Sequence, residues 1–305
     1  MSIRSAEAIM AAMDPAKYEI ARLFITKEGK WQPGPILPEP GANPGIDVVF
    51  PALHGTFGED GTVQGLLELA DLPYVGAGVM ASSVSMDKET MKRLFRDRGL
   101  PVGDYAVLWR GKLEFENPFG YPVFVKPANL GSSVGISKAL NAAQLRKAID
   151  YAAEFDRKVI VERGITGREF ECSVLGNQDA RASLPCEVLP SKDFYDYEDK
   201  YLLNTARTVL PAALPPAQTG EIQRLAVASY DAVGCEGLAR VDFLQDDATG
   251  KIYVNEINTL PGFTSISMYP KMWEATGVGF AELIDRLIEL ALERQAAKKA
   301  TRYSI

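Results

Sequence analysis

Residues 237–267 read GLARVDFLQDDATGKIYVNEINTLPGFTSIS, and this stretch decides the fold. Residues 238–245 and 251–258 each alternate apolar and polar side chains, the pattern of half-buried strands. Between them, residues 246–250 are polar and end in glycine, so a β-hairpin is expected. Pairing Gln245 with Lys251 sets Arg240 opposite Glu256 and Asp242 opposite Val254. Side chains alternate faces along a strand, so Arg240, Asp242, Glu256 and Asn258 share one side. Two acids, an amide and a guanidinium on one face are unfavourable unless they meet something charged. Their hard oxygens suit Mg²⁺, above all where a substrate brings phosphate oxygens. The alternative is an edge hairpin with its polar face in water. The tail Thr259-Leu260-Pro261-Gly262-Phe263-Thr264-Ser265 argues for a site, because a Pro-Gly turn with hydroxyls beside carboxylates has the make-up of a substrate loop.

The 305 residues suffice for two or three domains with real cores. A hydrophobic fraction of 47% and a charged fraction of 24% are those of a soluble globular chain. The net charge of −7 argues against nucleic acid or an anionic membrane as the main partner. Cys172, Cys186 and Cys235 are unclustered and odd in number, which suits a reducing cytoplasm rather than a disulfide framework. A single His54 rules out His-rich metal sites. There is no signal-peptide pattern, no apolar run long enough to span a bilayer and no solenoid repeat.

Residues 2–13 have helical spacing, with Ile3, Ala6, Ile9, Met10 and Met13 on one stripe. Residues 18–25 read as a strand, 32–45 as an irregular Pro/Gly loop and 46–50 (IDVVF) as a short buried strand of the parallel-sheet type. Together they suggest an open α/β sheet. The string HGTFGEDGTVQG (54–65) follows at the carboxyl end of that strand, where such sheets bind ligands. A helix over 62–70 offers its N-terminus there. His54 alone would read as a capped turn residue. Residues 72–75 are another short strand, 76–85 a small-residue connection and 88–98 an amphipathic helix that starts at Lys88.

Residues 121–127 form a strand ending in Lys126, followed by NLGSSVGI (129–136). By itself the second segment is a loose hairpin turn. Beside a lysine, it can fold over phosphates with backbone N–H groups and hydroxyls. Neither the P-loop pattern nor a dinucleotide fingerprint occurs. A helix over 142–155, strands over 158–162 and 168–175, a helix over 215–233 packed behind the hairpin and a terminal helix over 280–299 complete the pattern. Residues 193–201, DFYDYEDKY, have no clean period and read as an ordered surface loop.

The hairpin motif R-V-D-F…N-E-I-N-T-L-P-G, with HGTFGEDG, Met86-Asp87-Lys88, the Gly/Ser segment and DFYDYEDKY, resembles the D-alanine–D-alanine ligases of the ATP-grasp group. The resemblance recurs through nearly the whole chain. It implies an α/β (α+β mixed) fold of three domains, with an incomplete Rossmann-like N-terminal domain at 1–86, a central lid domain at 87–170 and a catalytic domain at 171–305. It implies ATP and two Mg²⁺, with Mn²⁺ as a substitute, held by Asp242, Glu256 and Asn258. Lys88, Lys126 and Ser133 would bind phosphates. Glu162, Arg163, Gly164 and Ile165 would read the adenine edge, and Glu169 the ribose hydroxyls. Phe243 and Asn255 would complete the nucleotide site. Arg240 and the Gly262 N–H would stabilise an oxyanion, and Lys200 would approach the γ-phosphate. Ser132 and Tyr201 would share a hydrogen-bonded group, and His54 and Ser267 would contact the D-alanines. The Tyr-rich string favours D-alanine as second substrate. A homodimer in the cytoplasm serving peptidoglycan synthesis is implied too.

Two other functions fit the same residues: an ATP-dependent ligase for a different carboxylate–amine pair, or a nucleotide-binding protein without turnover. Family members open with a strand and a Gly-Gly-x-Ser-x-Glu loop before the first helix, whereas Met1-Ser2-Ile3-Arg4-Ser5-Ala6 resembles the start of that helix. The expectation is a sequence that starts inside a longer active protein, with ATP binding kept, weak ligation and a less stable N-terminal domain.

Overall fold

The hairpin is the edge of the larger of the two main antiparallel sheets, which have six and four strands among the described residues. The computed structural model describes residues 1–131, 134–189 and 207–302. Strands β11 (Gly237–Asp246) and β12 (Ile252–Asn258) pair antiparallel. β11 also pairs along its whole length with β7 (Gly167–Gly176), so among the described residues the hairpin has strand neighbours on one side only. β8 (Arg181–Ala182), β9 (Cys186–Leu189) and β10 (Arg207–Val209) extend the sheet beyond β7.

The register corrects the sequence-based expectation. Gln245 pairs with Ile252, Asp242 with Glu256 and Arg240 with Asn258, and the ladder shifts between Asp242 and Phe243. Phe243 pairs with Val254, which leaves Asn255 as the extra residue of a bulge. The cause is visible in burial. Ile252, Val254 and Ile257 are all buried in one core, and their spacing cannot keep period two without an inserted residue. The bulge sends Val254 to the core and Glu256 to the opposite face.

That core lies between the sheet and two helices. Ala239, Val241 and Phe243 pack with Ile222, Leu225 and Tyr230 of α6 (Pro216–Ala232). Met91 and Phe95 of α4 (Lys88–Asp97) join them. Each such fully buried side chain contributes about 1.5–3 kcal/mol. α6 begins on Pro215-Pro216, where the missing N–H leaves nothing unsatisfied. A second core under the other face joins Leu175 and Leu238 to Phe263, to α7 (Met268–Ala275) and to α8 (Phe280–Lys299).

The smaller sheet runs β3 (Tyr105–Trp109), β6 (Lys158–Arg163), β4 (Val123–Pro127), β5 (Ser137–Ala139). Val123, Val125, Val159 and Val161 point at α5 (Ala142–Phe155). Alternation then turns Phe124, Lys126, Ile160 and Glu162 to the opposite face.

The N-terminal part departs most from expectation. α1 (Ser2–Ala12) forms, but its buried residues are Ser5 and Ile9, while Ile3 stays half exposed. The strand expected at 18–25 shrinks to β1 (Phe24–Ile25), paired with β2 (Trp31–Gln32). Residues 46–50 and 72–75 are expected strands that reduce to one parallel bridge, Val49 to Tyr74. Among the described residues no further strand adds to that bridge, and Val48, Val49 and Phe50 are only partly buried. α2 (Thr62–Leu69) forms as expected. The small-residue connection over 76–85 is instead largely helical, as α3 (Val79–Met86), with Ala81, Ser82 and Ser85 packed inward. Among the described residues no helix is long and apolar enough to cross a membrane.

Candidate active site

A cleft of about 890 Å³, its open mouth included, lies between the two sheets. Lys88, Phe124, Lys126 and Gly131 line it from the smaller-sheet side, and Glu169, Glu171, Asp242, Phe243, Asn255 and Glu256 from the larger. Ile165, on the strand-to-strand connection, closes one wall. Arg163 leaves β6 nearby, its Nη1 3.9 Å from Asp246 Oδ2. Gly164 is required where it stands, because a Cβ there would lie 2.5 Å from the Pro122 carbonyl oxygen.

One wall of the cleft is basic. α4 starts at Asp87, whose side chain accepts from the Thr90 N–H at 2.9 Å, a cap that stabilises by about 1 kcal/mol. This places Lys88 at the first turn, where Lys88 Nζ donates to the Leu130 carbonyl at 2.5 Å. Burial lowers the Lys88 pKa, and repulsion from Lys126 and Lys92 acts in the same direction. Lys126 moves the other way. Burial would lower its pKa, but the Glu162 and Glu256 carboxylates outweigh that and raise it.

Glu162 is clamped between two lysines, with Lys126 Nζ 2.6 Å from one carboxylate oxygen and Lys92 Nζ 3.0 Å from the other. Burial opposes its charge, yet Lys126 and Lys92 together hold its pKa at about 2. Lys92 also donates to the Asn255 carbonyl at 3.1 Å, so one buried ammonium ties α4, the smaller sheet and the bulge together. Sequence reasoning missed Lys92. Its signal was a lysine one helical turn after Lys88, on the face that also carries the buried Met91 and Phe95.

The larger-sheet wall is acidic. Asp242 and Glu256 face one another across the hairpin, two ladder positions from the Arg240–Asn258 pair. Arg240 donates from Nε and Nη2 to both Asp242 oxygens at 2.7 Å and lies 3.4 Å from a Glu171 oxygen. Burial would lower the Arg240 pKa, but Asp242 and Glu171 hold it well above its ordinary value. Two carboxylates and an amide make an all-oxygen donor set, which fits Mg²⁺ or Mn²⁺. Among the described residues no group of three His, Cys, Asp or Glu side chains could hold a metal ion by itself. Phosphate oxygens and water would therefore have to complete the coordination.

The loop after β12 carries the remaining predicted residues. Asn258 Oδ1 accepts from the Leu260 N–H at 3.0 Å, and the Leu260 carbonyl accepts from His54 Nδ1 at 3.1 Å. Glu59 lies 3.5 Å from the same ring nitrogen. Ser267 Oγ accepts from the Thr264 N–H at 2.9 Å and shares a hydrogen bond with Thr264 Oγ1 at 2.8 Å. Among the described residues the Gly262 N–H has no acceptor. A Cβ on Gly262 would stand 3.1 Å from Ser267 Oγ. Ser132, Ser133, Lys200 and Tyr201 lie outside the described residues.

The chain resembles known proteins along its whole length. A family model described as "D-ala D-ala ligase C-terminus" matches residues 94–289, and one described as "D-ala D-ala ligase N-terminus" matches residues 36–77. A D-alanine--D-alanine ligase of Solibacter usitatus is 62% identical over 307 residues, covering 100% of this chain and 94% of that protein. D-alanine--D-alanine ligase A of Escherichia coli K12 is 44% identical, covering 98% and 94%. Among solved structures, the D-alanine-D-alanine ligase from Coxiella burnetii superposes with a TM-score of 0.84 at 38% identity, covering 98% of this chain and 91% of that one. The VanG D-Ala:D-Ser ligase from Enterococcus faecalis superposes with a TM-score of 0.85 at 34% identity, covering 95% and 94%.

Proposed function

The chain belongs to the D-alanine–D-alanine ligase family, and on that premise we propose that it joins two D-alanines to D-alanyl-D-alanine, with ATP converted to ADP and phosphate. The product serves peptidoglycan synthesis. The observation that carries this reading is the pairing of Asp242 with Glu256 in a cleft that Lys88 and Lys126 also line.

A carboxylate is a poor electrophile. Its oxygen therefore attacks the γ-phosphorus of ATP, ADP leaves, and an acyl phosphate forms. The amine nitrogen of the second D-alanine then attacks the acyl carbon after losing a proton, and the tetrahedral intermediate expels phosphate. Phosphoryl transfer depends on positioning and charge neutralisation more than on covalent help. Lys88 and Lys126 would supply part of that charge, and Lys200 would add to it. Mg²⁺ on Asp242, Glu256 and Asn258, two ions per site, would neutralise the transferring phosphoryl group when bound. Arg240 and the Gly262 N–H would receive the developing oxyanion.

The segment from Glu162 to Ile165 would hold the adenine, Glu169 the ribose, and Phe243 and Asn255 the rest of the nucleotide. The Glu162 carboxylate is engaged by Lys126 and Lys92, which favours the backbone of this segment for base recognition. Ser133 would meet phosphate, and Ser132 would join Tyr201. His54 and Ser267 would contact the amino acids. The three proposed domains are 1–86, 87–170 and 171–305, in a cytoplasmic homodimer. A D-Ala:D-Ser ligase has the same architecture, so the fold does not choose the second substrate. The Tyr-rich string at 193–201 supports D-alanine. Phosphate release with D-alanine, D-serine or D-lactate as acceptor, with mass spectrometry of the product, tests the choice.

A further inference from the structure

Ser5 has no assigned part in the site, yet it is fully buried and lies where α1, His54 and the loop after β12 meet. Ser5 Oγ is 2.9 Å from His54 Nε2, and it accepts from the Phe263 N–H at 3.3 Å. The donors can be assigned from what each atom is able to do. A backbone carbonyl only accepts, so His54 Nδ1 must carry the hydrogen that reaches the Leu260 oxygen. A backbone N–H only donates, so the Ser5 oxygen is the acceptor from Phe263. With the neutral ring's one proton on Nδ1, Nε2 can only accept, and the Ser5 hydroxyl hydrogen donates to it. All four groups are satisfied only when the neutral imidazole bears its proton on Nδ1. With the proton on Nε2, the Leu260 contact would place two lone pairs against each other.

We infer that Ser5 is a positioning residue, which fixes the His54 ring as the Nδ1-protonated tautomer and pins the Leu260–Phe263 turn that presents the Gly262 N–H. The groups facing His54 agree with this. Glu59 lies near Nδ1, on the side where the proton sits, and the His54 backbone N–H donates to Ser2 Oγ at 3.0 Å. α1 thus holds His54 by two serines one helical turn apart. The role in turnover rests on the ligase reading, whereas the tautomer rests on the contacts alone. Small displacements of such a loop lower rate steeply, because reacting groups must meet at near-attack geometry.

His54 is the chain's single histidine, so the ring nitrogens of untagged, uniformly ¹⁵N-labelled protein give one assignable imidazole. The wild-type neutral ring should show the Nδ1-protonated pattern. In Ser5→Ala the pattern should shift towards the Nε2-protonated form that dominates for free imidazole. In the same variant kcat/KM for D-alanine should fall by roughly 10–100-fold, with KM for ATP little changed. Ser5→Thr, which keeps the hydroxyl, should restore both readouts. A wild-type ring protonated on Nε2 would overturn the inference even if Ser5→Ala failed to fold. So would a folded Ser5→Ala with unchanged tautomer and kinetics. No D-alanine-dependent phosphate release in the wild type would instead remove the ligase reading and leave the tautomer to be judged by the spectrum.

Discussion

Asp242 stands directly opposite Glu256 across the β11–β12 ladder, and the extra residue Asn255 is what brings them face to face. Without the bulge, the Phe243–Val254 register would set Asn255, not Glu256, against Asp242. With it, the two carboxylates form one oxygen-rich surface, and Lys92 holds the bulge through the Asn255 carbonyl. Glu256→Gln should lower turnover by on the order of 10²-fold or more, the scale of losing one preorganised electrostatic element. Phosphate release at saturating Mg²⁺ measures it, and near-normal activity would remove Glu256 from the metal site.

Metal binding should depend on nucleotide. Two carboxylates and an amide are too few for an all-protein cage around Mg²⁺. Calorimetric titration of Mn²⁺ should therefore show weak binding to the free protein and much tighter binding with a non-hydrolysable ATP analogue. Equal affinity in both states would contradict this donor set.

Lys92→Met should destabilise the protein by about 3–5 kcal/mol, because it leaves part of a buried carboxylate's charge uncompensated. Combined with Glu162→Gln the losses should not add, with a coupling of about 0.5–3 kcal/mol in a double-mutant cycle read by urea unfolding. Strict additivity would mean that the 3.0 Å contact carries no energy.

Acid should expose the same cluster. The folded pKa of Glu162, about 2, lies below its ordinary value of 4.5, so the unfolded chain binds the proton more readily. Its contribution is fully present above about pH 4.5 and is lost as pH falls towards 2. The stability of the wild type relative to Glu162→Gln should be level at neutral pH and shrink through that window. Growth of the difference on acidification would contradict a Glu162 carboxylate held charged by Lys126 and Lys92.

Gly164→Ala should lower stability by roughly 1–3 kcal/mol, the usual scale of overpacking, and weaken ATP binding. The added Cβ meets backbone, the Pro122 carbonyl, so no flexible side chain can move aside. Thermal unfolding and nucleotide titration check it, and unchanged values for both would place the segment away from the nucleotide.

Much of this architecture was legible because its signals were local. α5 and α8 occupy 142–155 and 280–299 as their apolar stripes require. The shared face of Arg240, Asp242, Glu256 and Asn258 followed from alternation. The bulge was missed, although the positions of Ile252, Val254 and Ile257 already broke period two. α3 was missed because Ala, Ser and Met residues give no amphipathic stripe, and its helix is fixed by what packs around it. The strand expected at 46–50 fell to one bridge, since apolar β-branched residues need partner strands that local sequence does not supply. The partners of Ser5 and Lys92 could not be read for a related reason. They lie 49 to 258 residues away for Ser5 and 163 for the Lys92 carbonyl contact, and no local pattern records such distances.

Product analysis reads out ATP-dependent ligation of two D-alanines. Purified enzyme with ATP, Mg²⁺ and D-alanine should release phosphate in step with the appearance of D-alanyl-D-alanine by mass spectrometry. Neither should appear when D-alanine is omitted. Phosphate release that ignores D-alanine, or nucleotide binding with no dipeptide formed, would contradict it.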